Sequence, residues 1–190
     1  MKDSTNLHNP NFEQNGYIQV YTGNGKGKTT ASLGLTLRAL GRGWSVLIVM
    51  FTKGGSDYGE LLSFSELSDD IKKRLKIIMA GLDRIVYRDN LSEKDKEAVQ
   101  SGWKYVKENA KSGKYQLIVL DEANIAIDLG LIELDDMIDF LKTKPESLEV
   151  VLTGRNANPK IIELAHLVSD IQPVKHYWDI GVNARKGIEY

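Results

Sequence analysis

Short apolar runs alternate along the chain with longer stretches in which apolar residues recur every three or four positions. That is the pattern of strands interleaved with amphipathic helices. Ile18 and Val20 alternate with more polar neighbours, as one face of a short strand would. Beyond Gly23, Gly25 and Gly27, the residues Leu33, Leu37 and Leu40 fall at i, i+4 and i+7. This predicts a helix that opens at Lys28-Thr29-Thr30, buries a leucine face and stops at Gly41. Residues 44–51 (WSVLIVMF) are almost continuously apolar, as expected of a central parallel strand covered on both faces. Weaker signals predict a short helix at 59–67 and a short strand at 75–79. Ser92, with Asp95 three residues on, starts a helix whose inner stripe is Val99, Trp103, Val106 and Ala110. Residues 116–122 (QLIVLDE) read as a buried strand running into two carboxylates. Leu134, Ile138 and Leu141 outline a helix closed by Pro145, and 147–152 the next strand. Asn158-Pro159 supplies an N-cap and a first helical residue for a last helix that buries Ile161, Ala165 and Val168. Residues 1–16 are polar and read as a flexible N-terminal segment, with 17–190 as a single domain. The expected fold is α/β: a mainly parallel sheet with helices on both faces.

The chemistry concentrates in two of these elements. A glycine-rich turn between a strand and a helix points backbone N–H groups at a common centre. The helix N-terminus and a lysine add positive potential there, so the loop can wrap a polyphosphate. Residues 22–30 (TGNGKGKTT) fit the phosphate-loop pattern G-x-x-x-x-G-K-[ST] at Gly27, Lys28 and Thr29, with Thr22 at the first glycine position. Lys28 is expected on phosphate oxygens and the Thr29 hydroxyl on a magnesium ion. In a phosphate-loop protein the strand ending in Asp121 and Glu122 lies beside the loop and holds the magnesium shell. Either acid is equally suited to orienting a water for hydrolysis. Lys53 and Arg155, each just past a strand, are candidate phosphate contacts; a solvated loop lysine and a structural salt bridge are the competing readings. Arg84, Tyr87 and Arg88 are either ligand contacts or scattered surface charges.

A net charge of -1 gives no long-range pull toward nucleic acid or an anionic membrane. The absence of cysteine excludes disulfides, a thiolate zinc site and a cysteine nucleophile. His8, His166 and His176 lack metal-ligand spacing. No run approaches the ~20 apolar residues of a membrane span, and the N-terminus has no apolar signal core, so the expected location is cytoplasmic. The residues themselves thus point to a magnesium-nucleotide enzyme or switch, without naming an acceptor.

Five blocks in order go further: TGNGKGKTT, LRALGRG (37–43), VLDE (119–122), TGR (153–155) and PVKHYWDIGVNARKGIEY (173–190). Together they resemble the P-loop type of ATP:corrinoid (cob(I)alamin) adenosyltransferase, from about residue 17 to 190. That resemblance implies a RecA-like homodimer that transfers the 5′-deoxyadenosyl group of ATP to the cobalt of a reduced cobalamin or corrinoid precursor. Triphosphate is released, and ATP lies reversed along the loop. It implies ATP and a corrinoid as substrates, Mg2+ or Mn2+ as cofactor and a flavoprotein-type reductant, with no nucleic acid or membrane partner. Carried over residue by residue, Lys28, Thr29 and Glu122 are catalytic. Thr22, Gly23, Asn24, Gly25, Lys26, Gly27, Lys28, Thr29, Thr30, Arg38 and Arg155 bind the nucleotide, and Thr29, Asp121 and Glu122 the metal. The family's Gly-Phe-Thr-Trp, whose aromatics help strip the cobalt of its lower ligand, is matched here by Gly81-Leu82-Asp83-Arg84. A phosphate-loop kinase or NTPase cleaving the β–γ bond, and a non-catalytic ATP- or corrinoid-binding protein, are the alternatives.

Overall fold

Strands with two apolar faces dictate the architecture. In the computed structural model, which describes residues 15–84 and 86–190, the strands are β1 (Ile18–Thr22), β2 (Val46–Phe51), β3 (Leu75–Ala80), β4 (Leu117–Asp121), β5 (Glu149–Thr153) and β6 (Leu167–Asp170). They form one all-parallel sheet in the order β3-β2-β4-β5-β1-β6. One register row runs Ile78, Val49, Leu120, Leu152, Val20 and Val168, apolar across all six strands. The helices are α1 (Lys28–Gly41), α2 (Gly59–Ser65), α3 (Asp69–Lys72), α4 (Glu93–Ala110), α5 (Ala123–Asp128), α6 (Leu134–Thr143) and α7 (Pro159–Leu164).

Alternate strand residues feed two cores. Leu47, Val49, Ile118, Leu120, Val150 and Leu152 pack with Trp103 and Val106 of α4 and Met137 and Leu141 of α6. Val46, Ile48, Met50, Leu117, Val119 and Val151 pack with Ala39 and Leu40 of α1 and Phe64 of α2. The expected sheet, parallel and covered on both faces, is therefore present. The stripe of α4 is buried as read, and its Ser92–Asp95 capping box forms in both directions. The Trp103 indole N–H donates to Asp136 Oδ2 at 2.7 Å, tying α4 to α6.

Two expectations fail for identifiable reasons. Helix α1 buries Ser32, Thr36, Ala39 and Leu40, not a leucine face; Leu37 is 52% exposed. Small side chains let α1 lie close to the sheet, and their hydroxyls are satisfied within the helix. Ser32 Oγ donates to the Thr29 carbonyl at 2.8 Å, and Thr36 Oγ1 to that of Ser32 at 3.1 Å. Helix α1 does stop at Gly41, as expected, and the left-handed residue that turns the chain after it is Gly43 (φ 84°). The last helix ends at Leu164, and Val168 belongs to edge strand β6, paired with β1, rather than to a helical face. Ala165 is already extended, and the His166 N–H joins β1 through the Ile18 carbonyl at 2.8 Å. The short helices α3 and α5 carry no sequence period long enough to announce them. Of the expected N-terminal segment, residues 1–14 lie outside those described; the Gly16 N–H donates to the Glu146 carbonyl.

Helix α4 approaches the sheet closely because residue 102 lacks a side chain. A Cβ there would lie 2.4 Å from Ala80 Cβ and 3.2 Å from Val49 Cγ1. Gly102→Ala is therefore expected to cost about 1–3 kcal/mol by overpacking, more than the ~0.5–1 kcal/mol gained from helix propensity. Urea denaturation measures it, and a neutral or stabilising result would contradict the close packing.

Candidate active site

The site lies at the C-terminal edge of the sheet, where open parallel sheets place their ligands. The loop after β1 needs glycine for two different reasons. At Gly23 and Gly25 a Cβ would fall 2.3 Å from Asp170 Oδ1 and 2.7 Å from the Ile171 carbonyl oxygen, so the loop presses against the end of β6. At Gly27 there is open space but φ is 123°, a conformation that L side chains rarely adopt. No side chain caps α1, so the N–H groups of its first turn have no intrahelical partner and suit an anion. Lys28 is buried, and its ammonium donates to the carbonyls of Gly23 and Gly25, both at 2.7 Å. Burial pulls its pKa down, against the opposing pull of Glu122 and Asp121. Thr22 is turned away, accepting from the Ala157 N–H at 3.3 Å.

Strand parity sets the second half of the site. Leu117 and Val119 face α1, so Asp121, two residues further along β4, does too. Strand β4 is not the neighbour of β1: β5 lies between them and contributes Thr153. Its hydroxyl donates to Asp121 Oδ1 at 2.7 Å and accepts from the Glu122 N–H at 2.9 Å. Asp121 is wholly buried, and its other oxygen accepts from Lys53 Nζ at 2.6 Å; the same ammonium reaches Thr29 Oγ1 at 3.2 Å. Burial lowers the Lys53 pKa, but Asp121 and Glu122 outweigh it and the net shift is upward. The strand ends on Glu122 in the left-handed region (φ 57°), and Thr52, just before Lys53, is left-handed as well (φ 59°). Such conformations cost of order 1–2 kcal/mol. The carboxylate of Glu122 makes no hydrogen bond or ion pair among the described residues, and burial and Asp121 push its pKa up. Among the described residues no three His, Asp or Glu side chains converge as a metal cage. A hydroxyl and one unpaired carboxylate beside a phosphate loop do fit Mg2+, which takes one or two carboxylates and completes its shell with substrate phosphates and water.

A cleft of about 1060 Å3 opens from the loop. Lys53, Glu122 and residues 24–30 line its polar end; Arg155 reaches it after the left-handed turn at Gly154 and forms no ion pair among the described residues. The far walls are Leu33 and Leu37 of α1, Tyr58, Phe64 of α2, and Tyr177 and Trp178 of the C-terminal tail. Trp178 is 82% exposed. Two ion pairs fasten the tail, Lys26 to Glu189 at 3.5 Å and Lys186 to Asp57 at 2.9 Å. Arg38 lies exposed near the end of α1, outside the cleft lining. Arg84 is paired with the buried Asp95, Arg88 donates to the Asp128 carbonyl, and Tyr87 stands in solvent. Leu82 and Arg84, the match to the family aromatics, do not line the cleft, whereas Tyr177 and Trp178 do. Thr153 and the tail aromatics escaped the sequence reading, although Thr153 opens the quoted TGR block.

The family model for ATP:corrinoid adenosyltransferase BtuR/CobO/CobP matches residues 14–190. The chain belongs to this family. It is 33% identical over 178 residues to the corrinoid adenosyltransferase of Pseudomonas aeruginosa, covering 94% of this chain and 85% of that one. It is 34% identical over 178 residues to the corrinoid adenosyltransferase CobA of Salmonella typhimurium, covering 94% and 87%. The uncharacterized protein all2391 of Nostoc sp. is 37% identical over 180 residues, 91% of this chain, but the chain spans only 48% of that relative's length. Among the described residues, no helix of this adenosyltransferase is long and apolar enough to cross a membrane.

The raised pKa of Glu122 yields a stability test. A carboxyl that binds its proton more tightly folded than unfolded costs stability once it ionises. That cost is absent below the unfolded value of about 4.3 and grows as pH rises through the folded one. Glu122→Gln is expected to melt higher than wild type at pH 7, with the difference closing as pH approaches 4, while adenosylation falls about a hundredfold or more. Scanning calorimetry across that range checks it; a lower melting point at pH 7 would contradict the assignment.

Proposed function

We propose that this corrinoid adenosyltransferase holds ATP by its polyphosphate on the loop 22–30. It passes the 5′-deoxyadenosyl group to the cobalt of a reduced corrinoid bound in the rest of the cleft. The electron pair of Co(I) attacks C5′, the C5′–O5′ bond breaks, and its electrons leave with the triphosphate; cobalt ends as Co(III). Co(I) is itself a strong nucleophile, so no protein base has to activate it. The protein must hold C5′ in line with cobalt and stabilise charge on the departing triphosphate. Lys28, the first-turn N–H groups of α1 and Arg155 serve the second task, with Lys28 exchanging two loop carbonyls for phosphate oxygens. Thr29 and Glu122 would hold a Mg2+ or Mn2+ ion, which supplies further positive charge to the triphosphate. The observation that carries the reading is the cleft's two-part lining: a cationic phosphate end continuous with a wall of apolar and aromatic side chains, of which Leu37, Tyr177 and Trp178 are exposed.

Tyr177 and Trp178 stand where a flat macrocycle can stack, and they take the corrin-facing part that Leu82 and Arg84 do not. The protein acts as one domain over 17–190 and as a homodimer in the cytoplasm, where a flavoprotein-type reductant supplies the electron. The exposed Val174 and Ile180 of the tail support a second copy as neighbour.

An anaerobic assay with chemically reduced cobalamin and Mg-ATP tests the reading, following cobalt–carbon absorbance and the phosphate product together. One triphosphate per adenosylcobalamin is expected. Phosphate and ADP without a cobalt–carbon bond would favour an NTPase, and bound ATP without product a binding protein. Trp178→Ala is expected to raise the corrinoid KM about tenfold with the ATP KM unchanged. Equal effects on both constants would remove the tail from the corrinoid site.

A further inference from the structure

We propose that Lys53 is the built-in cation of the phosphate site, neutralising Asp121, orienting the Thr29 hydroxyl and giving the triphosphate a second ammonium beside Lys28. The inference rests on the reading of the loop as a triphosphate site and reassigns one of its acids. Asp121 is wholly buried and both its oxygens are engaged, one by Lys53 Nζ at 2.6 Å and one by Thr153 Oγ1 at 2.7 Å. Pulling one partner from such a pair leaves an uncompensated buried charge, so Asp121 stays with Lys53. Glu122 is then the carboxylate left for a divalent ion. The ammonium bridges Asp121 Oδ2 and Thr29 Oγ1, two of the oxygens that the sequence pattern would assign to the metal.

The backbone around Lys53 is built to hold it there. Thr52 takes the left-handed conformation (φ 59°). At Gly54 a Cβ would fall 2.3 Å from the Leu82 carbonyl carbon, and at Gly81 one would fall 2.4 Å from the Lys53 nitrogen. The loops after β2 and β3 therefore interlock through two glycines, fixing the direction in which Lys53 leaves the sheet. An ammonium has three N–H donors. Lys53 spends two, on Asp121 and Thr29; the side chain is 20% exposed and lines the cleft. The third donor is available to a phosphate oxygen.

The test compares Lys53→Met, Lys53→Arg, Asp121→Asn and Lys28→Ala with wild type in two binding measurements. Inorganic tripolyphosphate is titrated calorimetrically without metal, and Mn2+ alone by electron paramagnetic resonance. Lys53→Met is expected to bind tripolyphosphate about tenfold more weakly and Mn2+ several-fold more tightly, because Asp121 is released. Lys53→Arg is expected to stay near wild type in both. Wild-type affinity of Lys53→Met for either probe overturns the proposal, since a merely structural ion pair moves neither. If Lys53→Met does not fold, Asp121→Asn decides: unchanged Mn2+ affinity supports the proposal, and a several-fold loss, which marks Asp121 as a metal ligand, overturns it. If Lys28→Ala and Lys53→Met both bind tripolyphosphate like wild type, the triphosphate site itself fails. If only Lys53→Met does, the inference about Lys53 fails alone.

Discussion

A carboxylate with no solvent-accessible surface must be met by a cation or donors, and the site of this protein is arranged around one such group. Asp121 ends a strand that is buried along its whole length, and its charge is compensated by Lys53 and the Thr153 hydroxyl. Those two contacts tie together the ends of β2, β4 and β5. The hydroxyl of Thr153 also takes the N–H of Glu122, so the turn that directs Glu122 depends on the same group. Through Thr29, Lys53 extends the connection to the first turn of α1. Acid strand and phosphate loop are thus coupled although β5 separates β4 from β1.

Around that core the site departs from what stability alone would select. Thr52 and Glu122 take left-handed backbone conformations, Lys28 is buried with its pKa depressed, and Glu122 is a carboxylate unpaired among the described residues, with its pKa raised. Such concentrations of strain and unfavourable charge mark functional sites. A bound triphosphate and cation would relieve several at once, giving the Lys28 ammonium anionic oxygens in place of neutral loop carbonyls and Glu122 a ligand role. The sheet can carry this load because its strands, apolar on both faces, are held by helices on either side.

Much of this was legible in the sequence because local chemistry spoke for itself. A Gly-Lys-Thr turn has few uses other than phosphate, four apolar residues running into Asp-Glu mark a strand edge, and Ser92 with Asp95 announces a helix start. The buried face of α1 was not legible: leucine spacing outvoted Ser32 and Thr36, whose hydroxyls are satisfied by backbone carbonyls that no periodicity records. Strand β6 was hidden for a similar reason, since Val168 sits at helical spacing from Ile161 and only pairing with β1 makes it a strand. The partnership of Lys53 with Asp121 joins residues far apart in the chain, and the strand order that brings them together is a tertiary fact. Arg84 shows the reverse case, a charge open to reading as a ligand contact that serves instead to hold the buried Asp95 at the α4 cap.

The central claim is that ATP is broken between C5′ and O5′, and one isotope measurement addresses that bond directly. ATP carrying 18O at the bridging 5′ oxygen would be turned over anaerobically with chemically reduced cobalamin, and the products separated for mass spectrometry. Cleavage at C5′ sends the label into the released triphosphate, one atom per adenosylcobalamin formed, and that is the result predicted here. Label retained on a nucleoside product, with phosphate or ADP as the companion, would mean that a phosphorus–oxygen bond had been broken and would contradict the account.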